Sequence, residues 1–187
     1  MDGLELLRKD HDEVRGLFKE FRSASEAEDA GRMGELCTQI FQELEVHTAI
    51  EEQVFYPAIH DAGGKELAET TDESYEEHHV VDVLMAEIEK LDPGESAFVA
   101  KMKVLMENVE HHAKEEEEEM FPEVRKLMSE DQLQTLGADL EAAKKSHKMK
   151  DASKEELQEK AKQMDIEGRS SMTKDELAKE IQRQSAS

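Results

Sequence analysis

Residues 44–57 read LEVHTAIEEQVFYP, and the same pattern returns 65 positions later as NVEHHAKEEEEEMFP at residues 108–122. Both copies lie in segments with helical periodicity, and each places a His and a Glu four positions apart. Such a pair projects from one face of a helix, one turn apart. A single pair in so acidic a chain would usually be solvated, but two copies in register favour a metal cluster. The aligned donors are His47 with His112 and Glu51 with Glu116.

The composition indicates an all-α protein. A chain of 187 residues can hold one core with a small appendage, or two small domains. Only 4% of the residues are aromatic, and there is no alternating apolar run that would predict a strand. Glu, Lys, Ala, Leu and Met, which favour helices, dominate instead.

The strongly negative net charge argues against several classes of binding partner. A formal net charge of −23 argues against general binding to DNA, RNA or an anionic membrane, because attraction to phosphate needs a basic face. The lone Cys37 cannot form an internal disulfide, and we expect it to be a buried or half-buried side chain rather than a nucleophile. No signal peptide or membrane span is apparent, so we expect a cytoplasmic protein without a membrane partner.

The first two predicted helices carry donors on their apolar faces. A helix at residues 2–25 places His11 in the middle of an apolar stripe. The second helix places His47 and Glu51 on its inward stripe, which continues to Val54 and Ala58. Burying an isolated carboxylate costs several kcal/mol unless it is paired or bound to a metal. Pro57 cannot donate a backbone hydrogen bond and should kink or weaken this helix.

The next two predicted helices repeat the arrangement. In the helix at residues 65–91, the spacing around His78 matches the spacing around His11. The helix that begins near residue 95 carries His112 and Glu116 on its apolar stripe, whereas the alternative frame of His111 and Glu115 lies on a more polar face. Short connections favour antiparallel neighbours, so we predict an up-down-up-down four-helix bundle with a small C-terminal helical module.

The domain boundaries follow from changes in composition. We predict the bundle at residues 1–128, an extra helix with a basic linker at 129–150, and the small module at 151–187. The extra helix should end near residue 143, and His147 should lie in the exposed linker. The module has a nearly balanced charge, with seven Lys and Arg against nine Asp and Glu.

The module resembles the helix-extended-helix at the N-terminus of the transcription terminator Rho, which is related in shape to SAP domains. The resemblance rests on a set of mostly apolar positions: Leu157, Ala161, Met164, Ile166, Gly168, Met172, Lys174, Leu177 and Ile181. It implies contact with nucleic acid, although this copy lacks a dense basic face. Nucleic acid is therefore possible only through this module, and a protein-docking or structural role is the alternative.

The bundle's donors suit iron. Imidazole is a ligand for iron, zinc and copper, and a carboxylate can bridge two hard cations. Six donors exceed the needs of one tetrahedral zinc, so a dinuclear non-haem iron centre fits best. The inward-facing donors are His11, His47, His78, His112, Glu51 and Glu116.

The spacing of these six residues resembles the bacterial hemerythrin-like family, also called HHE cation-binding domains. The resemblance covers roughly residues 1–128 and implies two Fe ions with an oxo or hydroxo bridge. It implies the four histidines as ligands, the two glutamates as bridges, and O2, hydrogen peroxide or nitric oxide as the small-molecule partner.

One feature departs from oxygen-carrying hemerythrins, which place two histidines four apart on the third helix. Here the positions four away from His78 are Ser74 and Asp82. This favours catalase-like activity or sensing over simple oxygen carriage. The residues considered as additional ligands or supports are His79, Tyr75, Asp82 and His111, and those considered as proton shuttles are Glu52, Glu117, His79 and Tyr75.

Two further interpretations stay open. The chain is alternatively a metal-independent acidic helical interaction protein whose histidines are structural. It is also interpretable as a regulator in which the bundle senses iron or oxygen and the C-terminal module contacts nucleic acid. Whether the protein is an enzyme, and in which oligomeric state it acts, does not follow from the sequence.

Overall fold

The computed structural model of this protein describes residues 1–63, 65–151, 154–164, 166 and 172–185. All regular structure in these ranges is helical, so the predicted all-α class is confirmed. The chain divides into two compact units, Met1–Leu140 and Glu141–Ser187.

The first unit contains the four-helix bundle, and the predicted up-down-up-down order is confirmed. Short helices extend its second and fourth members, each after a π-helical turn. In chain order the elements of the protein are α1 (Gly3–Glu26), α2 (Ala30–Ile50), the first π turn (Glu51–Phe55), α3 (Tyr56–Ala62), α4 (Lys65–Ile88), α5 (Ser96–Glu115), the second π turn (Glu116–Met120), α6 (Phe121–Leu127), α7 (Glu130–Asp151), α8 (Lys154–Gln163) and α9 (Lys174–Ser185).

A capping box fixes the start of α1. The backbone N–H of Glu5 donates to Asp2 Oδ1 at 2.8 Å, and the backbone N–H of Asp2 donates to Glu5 Oε2 at 3.3 Å. These two bonds satisfy donors that the first turn of a helix leaves unpaired. Arg125 of α6 donates to Asp2 Oδ2 at 2.8 Å, which ties the end of the bundle to the first residues.

The two copies of the repeat share an unusual backbone feature, a π turn that begins at the glutamate. The N–H of Tyr56 donates to the carbonyl of Glu51, and that of Phe121 donates to the carbonyl of Glu116, five residues back in each case. A proline follows each turn within the first residues of α3 and α6. Isolated π turns occur frequently at functional sites.

The first π turn corrects the predicted inward stripe of the second helix. Val54 and Ala58 are only half-buried, whereas Phe55, Tyr56 and Ile59 are buried. A π turn holds about one residue more than an α turn, and one residue rotates an α-helix by roughly 100°. The side chains after Glu51 are therefore turned relative to a continuous α-helix. Pro57, which has no N–H to donate, lies in the first residues of α3 directly after this turn.

The main core fills the bundle on one side of the donor level. It consists of buried apolar side chains from α1, α2, α4 and α5: Val14, Phe18, Phe21, Ala24, Met33, Leu36, Cys37, Ile40, Phe41, Leu44, Val81, Met85, Ile88, Phe98, Met102, Leu105 and Met106. The core begins one turn from the donors along the first two helices, since Val14 follows His11 and Leu44 precedes His47.

The aromatic ends of the repeat cover the donors from the other side. The rings of Phe55 and Phe121 meet edge to face at 5.8 Å, and Phe121 stacks on the His11 ring at 6.1 Å. The Tyr56 ring lies 5.7 Å from the His78 ring. Because both layers are apolar, they exclude water from the histidines and glutamates between them.

We expect Phe18→Ala to lower the free energy of unfolding of the metal-free protein by about 3–5 kcal/mol, because it leaves a cavity in a packed core. Phe18 is fully buried. Urea unfolding followed by circular dichroism measures the change. Val80→Ala, at a position that is 45% exposed, is the matched control and should change stability by less than about 0.5 kcal/mol. Equal effects of both changes would contradict this core.

Helix α7 differs from its predicted extent. It continues through residues 144–150, expected to be a linker, and ends at Asp151. The segment contains no Gly or Pro, and its Lys, Met, Ser and His residues are all compatible with a helix. Near its start, Gly137 allows close approach, because a side chain there would collide with the backbone of Met1 and Asp2.

The second unit has its own small core between α8 and α9. The buried side chains are Leu157, Ala161, Ile166, Leu177 and Ile181, with Met164 and Met172 packed against them. Seven of the predicted module positions therefore belong to this core, whereas Lys174 is half-buried and outside it. Gly168 lies outside the described residues. In the part of the chain that the structure describes, no helix is long and apolar enough to span a membrane.

Candidate metal centre

The six predicted donors meet at one level of the bundle, although they come from α1, α2, α4, α5 and the two π turns. All six are buried, and the glutamates most completely. Their exposed fractions are His11 4%, His47 5%, Glu51 0%, His78 3%, His112 6% and Glu116 1%.

One group of donors lies around His11 and His47, whose Nε2 atoms are 3.0 Å apart. His11 Nε2 is 3.3 Å from Glu116 Oε2, and His47 Nε2 is 3.1 Å from Glu51 Oε1. One ligand atom from each of these four residues lies within 4.8 Å of the others. This set of two imidazoles and two carboxylate oxygens has the spacing of ligands around one cation.

A second group lies around His78 and His112, whose Nε2 atoms are 3.2 Å apart. His78 Nε2 is 3.4 Å from Glu51 Oε2, and His112 Nε2 is 3.9 Å from Glu116 Oε1. Each carboxylate thus presents one oxygen to one histidine pair and the other oxygen to the second pair. Glu51 belongs to both groups of closely spaced ligand atoms, and Glu116 to the first.

The surroundings of the two buried glutamates indicate whether a metal ion fits between the histidines. Both oxygens of Glu51 and Oε2 of Glu116 are buried, and each lies 3.1–3.4 Å from a histidine Nε2 without forming a well-aligned hydrogen bond to it. A buried carboxylate without a partner is costly, and a cation between it and the histidines would remove that cost. The buried carboxylate oxygens and the clustered Nε2 atoms therefore fit a bound metal.

The buried carboxylates raise the pKa values of two of the histidines. Burial alone would lower the pKa of His47, but Glu51, whose Oε1 lies 3.1 Å from its Nε2, and the nearby carboxylate of Asp10 raise it to about 10. Burial likewise opposes the charge of Glu116 at His112, whose pKa rises to about 9. Without metal, both imidazoles hold protons at neutral pH. A cation must displace these protons, so cation affinity should rise with pH.

Each of the four histidines meets a second carboxylate through its other ring nitrogen. The partners of Nδ1 are Glu117 for His11 at 2.8 Å, Asp10 for His47 at 3.8 Å, Glu52 for His78 at 3.0 Å and Glu77 for His112 at 2.7 Å. Each pair joins neighbouring helices, so the four carboxylates close a ring around the bundle. We call this set the carboxylate ring.

The carboxylate ring orients the histidines. A carboxylate at Nδ1 favours the tautomer with its hydrogen there, which leaves Nε2 free to bind a metal and fixes the plane of the imidazole. The sequence suggested Glu52 and Glu117 only as proton shuttles, and it missed Asp10 and Glu77. The sequence positions of Asp10 and Glu77 could have indicated them, because Asp10 directly precedes His11 and Glu77 directly precedes His78.

Tyr56 is the other residue that the sequence missed. Its buried hydroxyl donates to Glu116 Oε1 at 3.1 Å and lies 3.3 Å from His78 Nε2. Burial and the charges of Glu116 and Glu51 hold the pKa of Tyr56 well above its ordinary value, so the phenol keeps its proton. Tyr56 therefore supplies a hydroxyl donor beside the second histidine pair.

The other considered residues lie away from the two donor groups. Tyr75 is 38% exposed, packs its ring against Tyr56 and donates to the carbonyl of Glu52 at 3.5 Å. His111 is exposed and pairs with Glu115, while His79 and Asp82 are exposed on α4. Among the described residues, Tyr56 rather than a fifth histidine stands beside His78.

We expect Cys37 to be unreactive in the folded protein. Burial, together with the charge of Glu89, raises its pKa to about 11, so at pH 8 it is a protonated thiol. Alkylation by iodoacetamide at pH 8, followed by mass spectrometry, should be roughly 100-fold slower than in the same protein unfolded in urea, because only the thiolate reacts. Its rate should increase as the pH approaches 11. Equal rates in the folded and unfolded protein would contradict this.

The fold and the donor set define a helical bundle with a buried His and Glu cation site, and the comparison with protein families agrees. The family model of the hemerythrin HHE cation-binding domain matches residues 2–124. The chain belongs to this family. The family model of the N-terminal domain of the Rho termination factor matches residues 150–187, which confirms the resemblance predicted for the C-terminal module.

Two curated relatives are similar in sequence. A DNA nickase of Nostoc sp. is 28% identical over 140 residues, which make up 75% of this chain and 38% of the nickase. An uncharacterized hemerythrin-like protein of Schizosaccharomyces pombe is 28% identical over 137 residues, 73% of this chain and 66% of that protein. The chain thus spans less than two thirds of the length of either relative.

A solved structure has the same fold. It is a hemerythrin HHE cation-binding domain-containing protein from Mycobacterium kansasii, with a TM-score of 0.67 and 21% sequence identity. The match covers 96% of this chain and 98% of that chain.

Proposed function

We propose that the bundle holds two iron ions and binds or reacts with O2, hydrogen peroxide or nitric oxide. The observation that carries the proposal is the division of Glu51 and Glu116 between the two histidine pairs. In this assignment His11 and His47 would hold one ion, His78 and His112 would hold the other, and Glu51 and Glu116 would each offer carboxylate oxygens to both.

The donor set supports iron over zinc. Structural zinc is usually held by four ligands that include cysteine, whereas this site offers four imidazoles and two shared carboxylates and no thiolate. Bound iron would supply one-electron chemistry toward O2, peroxide or nitric oxide, which protein side chains alone lack.

The residues around the donors support turnover or sensing over simple oxygen carriage. The Tyr56 hydroxyl donates to Glu116 Oε1 at 3.1 Å and lies 3.3 Å from His78 Nε2, and His78 has no second histidine four positions away. The Tyr56 hydroxyl can orient a small oxygen-containing molecule or exchange a proton with it. Glu52 and Glu117 link the histidines to the surface and are the candidates for moving that proton outward. The main core on one side and the aromatic residues on the other restrict the access of water to the donors.

The first test is the metal content of protein purified from iron-supplemented cells, measured by mass spectrometry together with the optical spectrum. We expect two irons per chain and near-ultraviolet bands that change when hydrogen peroxide is added. Gas evolution would identify catalase-like turnover. Protein without metal, and with unchanged stability after chelation, would instead favour the acidic helical interaction protein.

A second candidate function is contact with nucleic acid through the C-terminal module. It is supported by the match to the Rho N-terminal domain, and a relative of the chain is named a DNA nickase. The surface charge does not favour it, because Lys162 pairs with Glu159 and Arg183 pairs with Glu180.

The second candidate is tested by comparing the full chain with a chain that lacks residues 152–187. Retention of labelled single-stranded RNA or DNA that weakens with salt, and only in the full chain, would support it. Nicking of supercoiled plasmid is the corresponding test for a nickase activity. No retention even at low salt would remove this candidate.

A further inference from the structure

A cleft between α4 and the C-terminal half of α5 leads from the surface to the buried donors. It is narrow, with a cavity volume of about 10 Å³, which is room for about one water molecule. The outer part of its wall is acidic, and the inner part is formed by two of the proposed iron ligands. The wall includes Glu73, Ser74, Glu77, Glu115, His112 and Glu116.

Three residues with metal-binding side chains cluster beside the outer part of this cleft. One ligand atom each of Glu77, His111 and Glu115 lies within 4.8 Å of the others. His111 Nε2 is 3.1 Å from Glu115 Oε1, and the side chains of these two residues are 65% and 39% exposed. Two of the three residues also line the cleft itself.

The inner wall of the cleft is formed by a buried carboxylate and an imidazole of the proposed centre. Glu116 is 1% exposed, and its Oε1 lies 3.9 Å from His112 Nε2, whereas its Oε2 faces His11. Glu77 connects the two levels, because it belongs to the outer cluster and also accepts a hydrogen bond from His112 Nδ1 at 2.7 Å. The cleft therefore offers carboxylates from the surface to the centre.

The two copies of the repeat differ at the positions of the outer cluster. In the first copy the positions of His111 and Glu115 are taken by Val46 and Ile50, which are 4% and 0% exposed. The corresponding face of the first half is thus apolar and covered. Only the second copy places a His and a Glu in addition to those of the centre, so the repeat itself does not require them.

We infer that Glu77, His111 and Glu115 bind a divalent cation at the mouth of the cleft and transfer it to the buried centre. The inference rests on the proposed function, because it takes the six buried donors as the destination. One imidazole and two carboxylates suit Fe²⁺, Mn²⁺ or Zn²⁺. The exposure of His111 and Glu115 leaves room for water ligands, which keeps the cation weakly held and mobile. An acidic cleft also concentrates cations and speeds their association.

The test measures the rate at which Fe²⁺ loads into the metal-free full chain under anaerobic conditions, with the final iron content as a second readout. The variant H111V/E115I copies the first half of the repeat, and His111→Ala removes one exposed side chain with little risk to folding. His79→Ala, an exposed histidine on α4, is the matched control. We expect both cleft variants to load at least about 10-fold more slowly, the control to load normally, and all to reach two irons per chain.

The outcomes separate the two proposals. Unchanged loading rates in both cleft variants, with two irons bound at the end, would overturn the cleft site and leave the iron centre intact. A parent protein that binds no iron would overturn the proposed function itself. Titration with Mn²⁺ followed by electron paramagnetic resonance is an independent readout: a third, weaker ion that is lost in His111→Ala supports the cleft site, and its presence in that variant contradicts it.

Discussion

Glu51→Ala should reduce bound iron from two ions per chain to one or fewer. Glu51 is fully buried and is the one donor that belongs to both groups of ligand atoms around the histidine pairs. Its loss removes an oxygen from each proposed iron site at once. Glu116→Ala removes the other bridge and should also lower the iron content below two. Inductively coupled plasma mass spectrometry on protein purified in parallel measures both effects.

The control for this experiment is Glu118→Ala, which removes a carboxylate from the same acidic run. Glu118 has a 65% exposed side chain, so its variant should keep two irons. Circular dichroism should give the same helix content for the variants, because the apolar core of α1, α2, α4 and α5 does not include the glutamates. Retention of two irons by Glu51→Ala would overturn the assignment of the donors.

Glu117→Ala should weaken iron binding by about 10–100-fold, the usual effect of removing a carboxylate that orients a metal-bound histidine. Glu117 accepts a hydrogen bond from His11 Nδ1 at 2.8 Å and is held by Arg15 at the same distance. Without it, the His11 ring loses the partner that fixes its tautomer and direction. Competition with a chelator of known affinity measures the change. Glu117→Gln keeps an acceptor without the charge and should have a smaller effect.

Glu52→Ala is the matched variant at the second histidine pair, since Glu52 follows Glu51 as Glu117 follows Glu116. The Glu52 side chain is 41% exposed whereas that of Glu117 is 18% exposed, so solvent should replace Glu52 more readily. We therefore expect the smaller loss of affinity at Glu52. Unchanged affinity in both variants would contradict the role of the carboxylate ring, even if the six donors are assigned correctly.

Much of the fold could be predicted because its signals are local. Apolar residues at helical spacing predicted the four long helices, and the repeat of a His and a Glu four apart predicted their shared chemistry. The burial of the four histidines and two glutamates could be predicted because they stand on apolar stripes. These inferences require only the geometry of one helix at a time.

The parts that could not be predicted depend on a break in that geometry or on neighbouring helices. A π turn after Glu51 rotates the following residues, which brings Tyr56 rather than Tyr75 to the site and leaves Val54 half-buried. The end of α7 was placed too early because a run of lysines reads equally well as linker or as exposed helix.

The sequence by itself determined the helical class, the paired halves of the bundle and the burial of four histidines and two glutamates, because hydrophobic periodicity and a repeat are properties of the chain. The tertiary structure decided which oxygen of each glutamate faces which histidine pair, and which carboxylate meets each Nδ1. Those contacts join side chains far apart in sequence. Their partners depend on how the helices are rotated and packed against one another, which no single stretch of sequence specifies.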